Sequence, residues 1–90
     1  MFNSLSSIDN MRCPNLKILK LDSNRITSID GIENLKCLQT LTLSNNKIDT
    51  IKGLPYLSEL KELDLSNNLI TRIESMSNVP NLEDLDLSQN

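Results

Sequence analysis

Asn24, Asn46, Asn68 and Asn90 stand 22 residues apart, and the same leucines precede each of them. The frame is Leu16, Leu19 and Leu21 before Asn24; Leu38, Leu41 and Leu43 before Asn46; Leu60, Leu63 and Leu65 before Asn68; and Leu82, Leu85 and Leu87 before Asn90. As a pattern it reads L-x-x-L-x-L-x-x-N in four in-register copies. A unit this small cannot bury its apolar face alone, so neighbouring copies must cover one another and the chain must fold as a stack. Composition points the same way. Aromatic residues make up 2% of the chain, Phe2 and Tyr56, and there is no tryptophan. A compact core of 90 residues would ordinarily draw much of its buried area from rings. Leucine and isoleucine at periodic positions instead imply a linear, layered core.

The unit continues past the asparagine with a second apolar series: Ile26, Ile29, Ile32, Leu35; then Ile48, Ile51, Leu54, Leu57; then Ile70, Ile73, Met76, Val79. Around L-x-L the apolar residues alternate, the period of a strand with one buried face. After the asparagine the interval becomes three, the period of a 3₁₀ turn or a tight helical turn. The expected class is therefore α/β: a right-handed solenoid with short parallel β-strands on a concave face and 3₁₀ or short helical turns on the convex face. The expected organisation is one domain, 1–90, divided into a partial repeat 1–15, repeats 16–37, 38–59 and 60–81, and a partial repeat 82–90. Asn3, Leu5, Ile8 and Met11 follow the second half of the unit. The chain thus starts and stops in mid-repeat without polar caps, so a fragment of a longer solenoid, or self-association through open ends, is expected.

The asparagines are expected to form a ladder. Each chain segment leaves its strand by a turn inside the stack, where backbone groups have no water, and an amide offers donors and an acceptor together. Each is expected to bond its own turn and the backbone of the next coil. Gly31 and Gly53 share a slot held by Ser75 in the third copy, which suits a positive φ or a close approach of neighbouring arcs.

Net charge is −3 with a pI near 4.7. The general attraction that drives nucleic-acid binding is missing on average, so DNA and RNA are not expected partners. No membrane span is present, and Met1 to Asp9 has neither the basic start nor the apolar run of a signal peptide. Cys13 and Cys37 lack the paired spacing of a zinc site, so no metal or cofactor is expected. Cys13 falls in the apolar slot of Leu35, Leu57 and Val79, and Cys37 in the more exposed slot of Asn15, Glu59 and Asn81. A free thiol suits a reducing compartment, hence a cytoplasmic expectation.

The 22-residue unit carries isoleucines after the asparagine and a G-I or G-L step, as in Ile29-Asp30-Gly31-Ile32 and Ile51-Lys52-Gly53-Leu54. It resembles the subclass of leucine-rich repeats typified by the regulatory subunit of protein phosphatase 1. The resemblance covers nearly the whole chain and implies an intracellular protein–protein interaction module, a scaffold or regulatory subunit, that binds through its concave face, with cytoskeletal, ciliary or nuclear sites added to the cytoplasmic expectation. Bacterial internalins have a similar repeat but tend to carry proline where Gly31 and Gly53 sit, which makes a secreted adhesin the weaker alternative. A structural spacer is the other.

The strand positions that face outward form columns: Ile18, Thr40, Glu62, Asp84, then Lys20, Thr42, Asp64, Asp86, then Asp22, Ser44, Ser66, Ser88. The first two columns are the expected protein-binding surface. Glu62, Asp64, Asp84 and Asp86 gather carboxylates on adjacent strands, whose field suits a partner with a basic surface. Such residues also simply keep a sheet face soluble. Tight interfaces centre on tryptophan, tyrosine or arginine, and none falls in these columns, which weakens any transfer of the phosphatase-binding surface. Ile18, Leu69 and Tyr56 are the isolated apolar candidates. Catalysis is not expected: the chain has no histidine, no phosphate-gripping glycine loop, and acids that share one open environment.

Overall fold

The leucine frames become strands that pair side by side. In a computed structural model that describes residues 14–29, 31–51, 54–73 and 77–90, β1 (Ile18–Lys20), β2 (Thr40–Thr42), β4 (Glu62–Asp64) and β6 (Asp84–Asp86) form one four-stranded parallel sheet in the order β1-β2-β4-β6. The pairing register follows the repeat: Leu19 lies beside Leu41, Leu41 beside Leu63, and Leu63 beside Leu85. Period-2 alternation decides which side is wet. Leu41 and Leu63 are buried while Thr40, Thr42, Glu62 and Asp64 flank them on the outer face.

Behind the sheet, the core is a column of equivalent residues. Leu38, Leu41 and Leu43 of one unit and Leu60 and Leu65 of the next are wholly inaccessible to solvent, as are Ile26 and Ile48 of the return segments. Leu16, Leu19, Leu21, Leu82 and Leu87 are only partly buried against this core, and Leu85 is 40% exposed. Among the described residues, β1 and β6 each have a sheet neighbour on one side only. Their leucines therefore lack half of the cover that the middle leucines receive.

The return segments combine tight turns with a second pairing of strands. Turns closed by i to i−3 bonds occur, in which the Leu35 N–H donates to the Ile32 carbonyl, Leu38 to Leu35, Leu60 to Leu57 and Leu82 to Val79. No helix forms among the described residues. The segment after the asparagine instead holds a second parallel pair, β3 (Thr50–Ile51) with β5 (Arg72–Ile73). Lateral bonds between units explain it. Lys47 N–H donates to the Ile26 carbonyl at 2.9 Å, Leu69 to Ile48 at 2.8 Å and Thr71 to Asp49 at 3.3 Å, so the backbone of each return finds its partner in the adjacent unit. Gly31 has φ 83°, the left-handed geometry expected of that slot. The expectations for Cys13, Gly53, Ser75, Met76 and the segment from Asn3 to Met11 concern residues outside those described.

Candidate functional site

Two constructions matter here, the asparagine rungs that hold the units together and the outer face that they support. Each strand is left through a residue in the left-handed region: Ser23 (φ 60°), Asn45 (φ 57°), Asn67 (φ 55°) and Gln89 (φ 59°). This conformation costs an L-residue about 1–2 kcal/mol. It reverses the chain so that the following asparagine points into the stack. Asn46 Nδ2 donates to its own Leu43 carbonyl at 2.9 Å, to the Ser44 carbonyl at 3.2 Å and to the Leu21 carbonyl of the preceding unit at 3.0 Å. Its Oδ1 accepts from the Ile26 N–H at 3.0 Å. Asn68 repeats the set on Leu65, Ser66, Leu43 and Ile48, and Asn90 on Leu87, Ser88, Leu65 and Ile70. Asn24 bonds the carbonyls of Leu21 and Asp22.

The inter-unit bonds reach back to the preceding unit, not on to the next as expected. Strand geometry gives the reason. Leu21 N–H donates to the Thr42 carbonyl at 2.8 Å, so Leu21 faces its successor, and in a strand the carbonyl of a residue points to the same side as its N–H. The open groups of one unit are thus presented to the asparagine of the following unit. Among the described residues, no buried side-chain nitrogen or oxygen is left without a partner.

On the outer face, Ile18 is 56% exposed and Lys20, Glu62, Asp84 and Asp86 are exposed, while Thr40, Thr42 and Asp64 are half-buried. Glu62 pairs in register with Asp84, and Asp64 with Asp86, at the spacing of about 4.8 Å between neighbouring strands. Together with Thr42, Leu63 and Leu85, these carboxylates line an open depression of about 340 Å³. The expected residues of β4 and β6 are thus brought together, whereas Ile18 and Lys20 lie two strands away at the far edge of the sheet.

The acids of this face look equivalent in the sequence, and their hydrogen bonds separate them. Asp64 Oδ1 accepts from the Ser66 N–H at 3.0 Å and hydroxyl at 2.7 Å, and Asp86 does the same with Ser88. Both carboxylates are fixed within their own unit. The Ser88 N–H, and after it the Ser88 hydroxyl, hold the Asp86 carboxyl below its ordinary value, against a small opposing effect of burial. The first boundary is fastened differently. Asp22 reaches across to its successor, accepting from Thr42 Oγ1 at 3.0 Å and from the Ser44 N–H and hydroxyl at 2.8 Å each. The signal was present in the sequence, because the acid occupies the third column at Asp22 and the second at Asp64 and Asp86.

Leu69 is 57% exposed and Tyr56 58% exposed. Tyr56 occupies the slot of Asn78, whose Nδ2 donates to the Leu54 carbonyl of the preceding unit at 2.6 Å. A phenol replaces that amide and projects outward. Cys37 is a free thiol of intermediate exposure. Among the described residues, no cluster of three or more histidine, cysteine, aspartate or glutamate side chains is arranged to hold a metal ion, and no helix is long and apolar enough to cross a membrane.

Family comparison agrees with this architecture. A model described as leucine-rich repeats in two copies matches residues 14–56, and a second leucine-rich-repeat model matches residues 49–90. The chain is a leucine-rich-repeat protein. Repeats of this family commonly mediate protein–protein interaction and are typically not enzymes. No curated protein matches the chain.

Proposed function

We propose that this chain is an intracellular protein–protein interaction module, acting as scaffold or regulatory subunit, whose partner docks a basic surface on the outer face of the four-stranded sheet. The reading takes that face as the concave side of a right-handed solenoid of the 22-residue subclass, with tight turns on the convex side. One observation carries it. Glu62, Asp64, Asp84 and Asp86 stand in register on adjacent strands around one depression, where their mutual repulsion disfavours the free protein and a cationic partner relieves it. Serine bonds hold Asp64 and Asp86 in place, so little side-chain freedom is lost when a partner arrives.

Lys20, Thr40, Thr42 and the exposed Ile18 extend this surface toward β1 and supply mixed polar and apolar contact. The net charge of −3 supports a protein partner over nucleic acid, and the free thiol of Cys37 suits a reducing compartment such as the cytoplasm. Affinity capture with the complete protein, wild type against a variant with Glu62, Asp64, Asp84 and Asp86 all changed to lysine, tests the proposal. Loss of a specific basic partner from the variant, with the fold retained, is the expected result. Equal capture by both proteins overturns it.

A further inference from the structure

We draw no further inference here: the strongest candidate, the carboxylate cluster of Glu62, Asp64, Asp84 and Asp86 on the outer face of β4 and β6, belongs to the site already described, and nothing else in the structure shows what covers it.

Discussion

Every polar atom of the Asn46 side chain is bound to main chain in two units, with Leu43 and Ser44 on one side of the boundary and Leu21 and Ile26 on the other. Only 7% of the residue is exposed, so water cannot replace these partners easily. Asn46→Ala is expected to destabilise the fold by about 1–3 kcal/mol in urea unfolding. Asn46→Asp, which keeps the shape but loses the donors, should do no better at neutral pH, and a stability equal to wild type in both variants would show that the rung is dispensable. Asp86 offers a second measurement. Its folded carboxyl titrates below the ordinary 3.8, so its contribution is complete above that value and is lost as pH falls through the lower folded midpoint. In an NMR titration, Ser88→Ala, which removes the hydroxyl and keeps the N–H, should move the Asp86 midpoint part of the way back up toward 3.8, and an unmoved midpoint removes the Ser88 hydroxyl as a contributor. The asparagine positions were legible because the repeat isolates them. The left-handed residues before them leave a fainter trace in the sequence, asparagine at positions 45 and 67, a residue that tolerates this conformation.

At the scale of elements, a strand of three residues such as β4 has no stability of its own and exists through its neighbours on both sides. The contrast between Leu63 and Leu85 measures that dependence. Both hold the same repeat position, yet Leu63 is 1% exposed and Leu85 40% exposed. Leu63→Ala should cost about 2–5 kcal/mol in urea unfolding, and Leu85→Ala distinctly less. Equal losses would contradict the burial described. The L-x-L alternation made β1, β2, β4 and β6 legible, since a half-buried strand imposes a period of two. β3 and β5 were hidden by the period of three that surrounds Ile51 and Ile73. Their pairing comes from lateral alignment of Thr50 with Arg72 and Ile51 with Ile73, a relation between residues 22 apart that no local pattern contains.

Across the whole molecule, charge is graded over the sheet, from Lys20 at β1 to Asp84 and Asp86 at β6. Opposed charges that remain near solvent are screened over about 10 Å at 0.1 M salt. Capture of the proposed basic partner should therefore weaken steadily as salt rises from 0.05 to about 0.5 M, and salt-independent binding would point to an apolar contact centred on Ile18, Leu69 or Tyr56 instead. The amino-acid sequence by itself determined the repeat length, the inward leucines and the asparagine at each turn, because a stack translates one linear period directly into one spatial step. Only the tertiary structure decided that each rung reaches back to the preceding unit and that Asp22 bonds across a unit boundary while Asp64 and Asp86 bond within their own units. It also decided that Thr50–Ile51 and Arg72–Ile73 of two return segments pair as strands. Those outcomes depend on which way backbone groups point once the units lie side by side, and orientation between units is not carried by any residue alone.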